Sequence, residues 1–301
     1  MKPIHYATLT LLGAIWGASF LFIRVAAPEF GPNMLMFVRV LVAGLVLIPI
    51  APMMNKEAGG QSYRKLLSRW REFLIVGAFN AAIPFVLIAF SQLTITASLA
   101  AILNSVTPLC TALVAAVWIG EALTPQKIAG LVLGVVGVGV LVGGSPLDLN
   151  SAFLIAVAAS IGAAICYGIG TVYASQHISG LPAIQASIGQ LLGASVILSI
   201  PAATTVPDSP PSMAAILSLT ALILVSTSFA YMLYFYLLKN VGPTRTASVT
   251  FLVPVFGTIW GIIFLNEPVS IGLFVGMGII LLSVGLVMGA RFQKVKVVET
   301  S

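Results

Sequence analysis

Long apolar runs, separated by short polar, proline-rich or glycine-rich stretches, fill almost the whole chain. A membrane-spanning helix needs about 20 mostly apolar residues, and ten runs of about this length are present. They cover residues 5–27, 33–54, 72–93, 96–119, 126–144, 152–175, 182–204, 213–238, 244–265 and 270–290. The apolar residues are continuous rather than alternating, which excludes the strands of a membrane β-barrel. The pattern therefore predicts an all-α integral membrane protein with ten transmembrane helices.

The composition supports lipid as the solvent of this chain. Of its 301 residues, 59% are hydrophobic and only 7% are charged, whereas about 25% of the residues of a soluble domain are charged. The first apolar run is too long for the core of a signal peptide, so we expect it to be retained as a helix. Cys110 and Cys166 lie inside apolar runs, where we expect them to act as small hydrophobic residues.

The basic residues predict the orientation of the helices. If the N-terminus is cytoplasmic, the inner side holds twelve of the fourteen Lys and Arg residues and the outer loops hold none. These twelve are Lys2, Lys56, Arg64, Lys65, Arg69, Arg71, Lys127, Lys239, Arg245, Arg291, Lys294 and Lys296. Positive charge is enriched on the cytoplasmic side of membrane proteins, so we expect both termini inside a bacterial-type cytoplasmic (inner) membrane. The net charge of +6 then reflects orientation, and no nucleic-acid partner is expected.

One sequence pattern occurs twice. Pro108 is followed thirteen residues later by Glu121, and Pro254 is followed at the same spacing by Glu267. The two copies lie 146 residues apart, and each half contains five predicted helices. Because five is odd, the second half enters the membrane from the opposite side, as in many secondary transporters. We expect two inverted five-helix repeats over residues 1–146 and 147–290, followed by a cytoplasmic tail at 291–301.

Motifs in both halves resemble one transporter family. They are "WGASFLFIRVA" in the first helix, "GPNMLMFVRVLVAG" in the second, and the two Pro-to-Glu helices, each followed by a glycine-rich helix. The chain resembles EamA-domain members of the drug/metabolite transporter superfamily, and it is similar to bacterial exporters of aromatic and other neutral amino acids. The resemblance implies alternating access around a central cavity and export from the cell. The second half departs from the pattern, because Gly189 stands where the first half has Arg39.

Polar side chains at membrane depth are the candidates for substrate contact. Such groups are costly in lipid and usually face the interior of a bundle. The candidates are Asn80, Gln92, Asn104, Tyr167, Gln190, Tyr231, Tyr234 and Arg39. For each of them, hydrogen bonding between helices is the alternative role. As a set, they indicate a mainly apolar cavity for a small amphipathic solute.

Arg39 and the prolines each leave two interpretations open. A buried arginine costs about 2.5–3.5 kcal/mol on insertion scales, so Arg39 either attracts a substrate carboxylate or bonds to helix-end carbonyls. Pro84, Pro108 and Pro254 lie near the middle of spans and are expected to kink them. These kinks serve either packing or a hinge for gating. Glu121 and Glu267, at helix ends, are expected to cap the helix that follows each of them.

The glycine-rich helices five and ten predict close helix packing, either within the chain or in a homodimer.

No catalytic, metal or cofactor site is expected, because the two histidines lie at span ends and no phosphate-binding glycine motif is present. All eight acidic residues fall in loops, tails or helix ends, so no intramembrane proton relay is evident. The sequence therefore predicts uncoupled facilitated export of a small-molecule metabolite, with the lipid bilayer as surroundings. The alternatives are a proton-coupled drug/metabolite efflux carrier and a non-transporting membrane subunit or sensor.

Overall fold

The computed structural model describes residues 1–54, 68–207 and 209–294, and this part of the chain is helical without a strand. Ten helical units follow one another. They are α1 (Pro3–Phe30), α2 (Pro32–Met54), α3 (Trp70–Ser91), α4 (Ala97–Ile119), α5 (Pro125–Gly143), α6 (Ser151–His177), α7 (Ala183–Ala203), α8 (Met213–Ile223, Leu224–Phe229 and Ala230–Thr246), α9 (Val249–Leu265) and α10 (Ile271–Lys294). Within the described ranges, nine helices are long and apolar enough to cross a membrane, and α9 is shorter, with 17 residues. The chain is therefore a multi-pass membrane protein.

The start of the ninth helix differs from the sequence prediction. The apolar run suggested residue 244, but the helical hydrogen bonding of α8 continues to Thr246 across a non-helical Gly242, with φ 80° and ψ 166°. The regular part of α9 begins at Val249. Hydropathy does not locate this boundary, because the break in the helix is a change in the backbone conformation of a single glycine.

Two helices contain π-helical segments that begin 146 residues apart. In α3 the segment is Ala78–Ala82, and in α8 it is Leu224–Phe229. Pro84 lies in the first turn after the α3 segment. In α8 the hydroxyl of Thr227 donates to the Leu222 carbonyl at 2.8 Å. π-Segments are often found at functional sites, and apolar periodicity alone did not predict either one.

Helix α4 is interrupted rather than bent. Its first part ends at Asn104, a turn follows at Ser105 and Val106, and the helix resumes at Thr107. Pro108 therefore occupies the first turn of the second part, where a missing N–H removes no helical hydrogen bond. Pro254, by contrast, lies inside α9.

The two glycine-rich helices, α5 and α10, pack against each other. Ser283 of α10 donates its hydroxyl to the Gly130 carbonyl of α5 at 2.7 Å. A Cβ atom on Gly144 would lie 2.6 Å from the Cα atom of Gly272, so only glycine permits this approach. By contrast, a Cβ atom on Gly139 would meet no other part of the chain within 4 Å. Intramolecular packing therefore accounts for the glycines on the facing sides of this pair.

The end of α9 corrects the expectation for Glu267. Its carboxylate accepts hydrogen bonds from the backbone N–H groups of Ala97 and Ser98 at 2.6 and 2.9 Å, and from the Ser98 hydroxyl at 2.5 Å. It thus caps α4, 170 residues earlier, and not α10. The hydroxyl of Ser270 caps α10 by accepting from the Leu273 N–H at 3.1 Å. Position along the chain predicted a local cap, but the bundle brings a more distant helix start to the carboxylate.

The corresponding link after α4 has a related but different arrangement. Gly120 and Asn266, again 146 residues apart, both adopt the left-handed conformation that ends a helix. Glu121 then pairs with the ammonium of Lys127 at 2.8 Å. The N-terminus of α5 is capped by the hydroxyl of Thr124, which accepts from the Lys127 N–H. The following helix is again capped by a hydroxyl.

Candidate functional site

Arg39 lies inside the bundle on α2, with only 6% of its surface exposed. Its Nε donates a hydrogen bond to the Thr227 hydroxyl, in the π-helical segment of α8, at 3.1 Å. Its Cζ lies 4.4 Å from the centroid of the Phe85 ring on α3, a distance that gives a cation–π contact. The structure therefore brings three helices together around this guanidinium. One interpretation of the sequence expected helix-end carbonyls as the partners of Arg39. In the structure its partners are instead a hydroxyl and an aromatic face.

The terminal nitrogens of Arg39 are left largely unused. Among the described residues, neither has an oxygen acceptor, and the Sδ atom of Met36 lies 3.9 Å from one of them. No ion pair to Arg39 is present in the described ranges, where the resolved pair is Lys127 with Glu121. The fork of a guanidinium matches the two oxygens of a carboxylate. Arg39 is thus a buried cation whose carboxylate-binding side has no protein partner in the described chain.

Three further predicted residues lie around Arg39. The hydroxyls of Tyr167 on α6 and Tyr231 on α8 are within electrostatic range of its guanidinium. The Tyr167 ring also makes an edge contact with Phe85, with centroids 6.4 Å apart. The side-chain amide of Gln190 on α7 lies beside the Tyr231 hydroxyl. We call the set of Arg39, Phe85, Tyr167, Gln190, Thr227 and Tyr231 the central cluster.

The central cluster combines one cation, one amide, three hydroxyls and aromatic surface. Its members come from α2, α3, α6, α7 and α8. Tyr167, Gln190 and Tyr231 remain partly exposed although they lie within the bundle. Such a set of groups can bind the polar end of a small solute while aromatic surface contacts its apolar part.

The structure places the other predicted polar residues around this cluster rather than in it. Tyr234 lies about one turn beyond Tyr231, and its ring centroid is 5.6 Å from that of Trp16. Asn80, in the π-segment of α3, packs against Gly170 of α6. Asn104 is the last residue before the interruption of α4, and its Oδ1 is buried without a hydrogen-bond partner among the described residues.

Gln92 lies furthest from the centre. It follows Phe85 by seven residues, which is two helical turns or about 10 Å along α3. Its backbone carbonyl accepts a hydrogen bond from Arg24, while both atoms of its side-chain amide are buried without a partner. Its position at the end of the helix separates it from the Arg39 contacts.

The sequence did not predict two members of the central cluster, Thr227 and Phe85. A signal for Thr227 was available, because Ser226, Thr227 and Ser228 form three consecutive hydroxyl residues within an apolar run. Phe85 carries no polar group, so nothing distinguished it from the other aromatic residues of the spans. Its role depends on which side of α3 faces Arg39.

Charged contacts also join helix ends away from the cluster. The Glu29 carboxylate at the end of α1 accepts from the backbone N–H and the hydroxyl of Ser212, before α8, at 2.5 and 2.7 Å. The Arg69 guanidinium, before α3, donates to the carbonyl of His177, at the end of α6, at 3.1 Å. An open cavity of about 580 Å³ adjoins the first of these contacts, between the α1–α2 and α7–α8 links. This cavity lies at the edge of the bundle and does not include the central cluster.

Metal-binding side chains do not gather in the part of the chain that the structure describes. Within it, no group of three or more His, Cys, Asp or Glu residues lies close enough to hold an ion.

Comparison with known proteins identifies the family. The model of the EamA-like transporter family matches the chain twice, over residues 4–143 and 154–289. The chain belongs to the EamA-like transporter family. It is 26% identical over 284 residues to the uncharacterized transporter YvbV of Bacillus subtilis, covering 93% of this chain and 90% of that protein. It is also 26% identical to the uncharacterized inner membrane transporter YedA of Escherichia coli K12, covering 95% and 91% of the two chains.

The relationship extends to an archaeal relative and to a solved structure. An uncharacterized transporter of Archaeoglobus fulgidus is 24% identical over 290 residues, covering 95% of this chain and 99% of that protein. A crystal structure with 18% identity superposes with a TM-score of 0.63, over 96% of this chain and 99% of the other. The relatives are named as transporters, which supports membrane transport rather than catalysis, and the structural match supports the fold.

Proposed function

We propose that this EamA-family transporter exports small amphipathic metabolites from the cytoplasm by alternating access at the central cluster. Aromatic or other neutral amino acids are the class suggested by the sequence resemblance. The observation that carries the proposal is Arg39, a buried cation inside the bundle with no acidic partner in the described ranges. The membrane is the bacterial-type cytoplasmic (inner) membrane, and both termini are cytoplasmic.

Several pairs of equivalent positions support two inverted repeats over residues 1–146 and 147–290. The family model matches each half separately. The π-segments of α3 and α8, and the left-handed helix ends before Glu121 and Glu267, all repeat at an offset of 146 residues. In addition, the end of α1 contacts the start of α8, while the end of α6 contacts the start of α3. These two contacts exchange the equivalent helices of the two halves, as an axis in the membrane plane would require.

Irregular backbone and prolines within the spans provide the proposed hinges. Pro84 follows the π-segment of α3, Pro108 follows the interruption of α4, and Pro254 lies within α9. Backbone that departs from regular α-helix can absorb changes of dihedral angle when one half rocks against the other. We propose bending at these three sites during the change of access.

The described acidic residues support an uncoupled mechanism. They lie at helix ends or in links: Glu29, Glu72, Glu121, Asp148 and Glu267. Glu29, Glu121 and Glu267 are already engaged by Ser212, by Lys127, and by Ala97 and Ser98, respectively. A proton-coupled carrier commonly places a titratable carboxylate or histidine at depth. Export would then follow the electrochemical gradient of the solute.

Counterflow in proteoliposomes tests this proposal. The full chain is reconstituted, vesicles are loaded with unlabelled solute from a panel of amino acids, organic acids and amines, and entry of the labelled solute is followed. We expect transient accumulation of at least one solute, without an imposed pH or Na⁺ gradient. Accumulation that requires a pH gradient would favour a proton-coupled carrier, and the absence of counterflow throughout the panel would favour a non-transporting subunit or sensor.

The homodimer belongs to the same proposal. A Cβ atom on Gly139 or Gly143 of α5 would meet no other part of this chain within 4 Å, so the outward side of the helix permits close packing with a second copy. Crosslinking of a Gly139→Cys variant in membranes is the corresponding measurement, and a monomer at all protein densities would contradict it.

A further inference from the structure

The charge of the central cluster bears on the ionic form of the substrate. Arg39 is 6% exposed, and among the described residues its one hydrogen bond to an oxygen is made by Nε, to Thr227. The two terminal nitrogens retain the donors that bind a carboxylate side by side. A buried cation of this kind is stabilised when an anion occupies the site.

The described cluster offers no equivalent partner for an ammonium group. The described acidic residues lie at helix ends or in links, and the nearest polar groups are hydroxyls and one amide. That amide, on Gln190, lies beside the Tyr231 hydroxyl and carries no charge. The α-ammonium of an amino acid is separated from its carboxylate by a single carbon atom, so it would lie close to the Arg39 guanidinium. Like charges at such short range repel each other strongly where water is excluded.

Aromatic surface surrounds the same position. The Phe85 face lies under the guanidinium, and Tyr167 contacts Phe85 at its edge. Tyr231 and Tyr234 extend this surface along α8 towards Trp16. The site therefore provides one cation beside a largely aromatic wall, which matches a carboxylate carried on an aromatic or branched apolar body.

We infer that the transported species is an organic monocarboxylate anion with an apolar or aromatic body, and that Arg39 binds its carboxylate. This inference rests on the proposed transport function and selects the anion over the zwitterionic amino acid with the same side chain. The loaded site is electrically neutral, whereas the empty site carries the charge of Arg39. Since Arg39 stays in the bundle, each anion that crosses moves one negative charge across the membrane.

This charge movement gives export a source of energy. A membrane potential that is negative inside drives an anion outward, with no need for a proton or sodium site in the protein. Export against a concentration gradient is then possible although no carboxylate belongs to the central cluster.

A potassium diffusion potential tests the inference directly. Proteoliposomes containing the full chain receive valinomycin, with potassium about tenfold more concentrated outside, so that the interior becomes positive. We expect labelled phenylpyruvate to accumulate inside by up to about tenfold, the equilibrium ratio for one charge. Labelled phenylalanine, its zwitterionic counterpart, should show no potential-driven accumulation. Protein-free vesicles give the passive background for both solutes.

The possible outcomes separate this inference from the transport function. Counterflow of phenylalanine that equals or exceeds that of phenylpyruvate, with no response to the potential, would overturn the anion inference and leave the carrier intact. The same holds if amino acids or amines of the panel are carried and no organic acid is. If no member of the panel undergoes counterflow, the transport function and this inference both fail.

Variants of Arg39 assign the effect to this residue. We expect Arg39→Gln to lower phenylpyruvate flux at least tenfold and to abolish the preference over phenylalanine, while Arg39→Lys keeps the charge and part of the preference. Arg24→Gln is the matched control, because Arg24 bonds to a backbone carbonyl near the end of α3. Arg39→Lys protects the test if Arg39→Gln fails to fold, because it keeps the charge and should retain the potential response and a measurable anion preference. A folded Arg39→Gln protein with unchanged anion preference and potential response would overturn the assignment, as would an Arg39→Lys protein that retains no anion preference.

Discussion

The carboxylate of Glu267 caps the helix that begins at Ala97, accepting the Ala97 N–H at 2.6 Å. Glu267 is 9% exposed, and it joins the end of α9 in the second half to the start of α4 in the first. Both helices carry a proposed hinge proline. A rigid connection at this point means that the first part of α4 moves together with the end of α9.

Loss of this cap should destabilise the protein. Glu267→Ala leaves the N–H groups of Ala97 and Ser98 without their acceptor in a buried position, which costs about 1–3 kcal/mol for each unsatisfied group. We expect a clear decrease of Tm in detergent. Glu29→Ala is the control, because the Glu29–Ser212 contact is exposed and its loss should have a smaller effect. Equal Tm shifts in the two variants would contradict the role of Glu267.

The α5–α10 pair should tolerate bulk on one side only. A Cβ at Gly137 would lie 2.8 Å from the Cγ1 atom of Ile280, so Gly137→Leu should destabilise by about 1–3 kcal/mol through overpacking. Gly278→Leu, on an open and exposed side of α10, should leave the Tm nearly unchanged. The opposite order of the two Tm values would show that the packing of these helices is different.

Removal of single polar groups from the central cluster should weaken transport. Tyr231→Phe and Gln190→Leu each remove one polar group from the cluster, and we expect the KM for the transported solute to rise about threefold to tenfold per variant, as for the loss of one hydrogen bond of about 1 kcal/mol to the solute. Tyr236→Phe removes the same hydroxyl from an exposed position on the same helix and should behave like the wild type. If Tyr236→Phe has the largest effect, α8 presents a different face to the solute.

The proposed orientation predicts one-sided labelling of two exposed positions. In a background in which Cys110 and Cys166 are replaced by serine, Asp148→Cys should react with an impermeant thiol reagent from outside intact cells. Lys239→Cys should react only after permeabilisation. Labelling of both from the same side would contradict the inverted repeats, because three crossings, α6, α7 and α8, lie between the two positions.

The sequence predicted the spans and several members of the cluster because depth in a membrane can be counted along the chain. Arg39, Tyr167, Gln190 and Tyr231 stand out as polar residues within apolar runs, and the structure brings them together. Helix rotation cannot be counted in the same way. Asn80 therefore packs against Gly170, outside the cluster.

Contacts between distant helices were beyond sequence reasoning for the same reason. The Thr227 hydroxyl meets Arg39 through the π-segment of α8, and a one-residue change of helical register is invisible in an apolar run. The target of Glu267 was assigned to the next helix because a local cap needs no knowledge of packing. In the bundle, hydroxyl residues cap α4, α5 and α10, and the Glu267 carboxylate accepts the further N–H groups at the start of α4.

The accessibility of the central cluster from both sides of the membrane is the most direct test of alternating access. In the cysteine-substituted background, Gln190→Cys is reacted with an impermeant thiol reagent in right-side-out and in inside-out membrane vesicles. Alternating access at this site predicts reaction from both sides and slower reaction when a transported solute is present. Reaction from one side alone, with no protection by any transported solute, would contradict alternating access at this site.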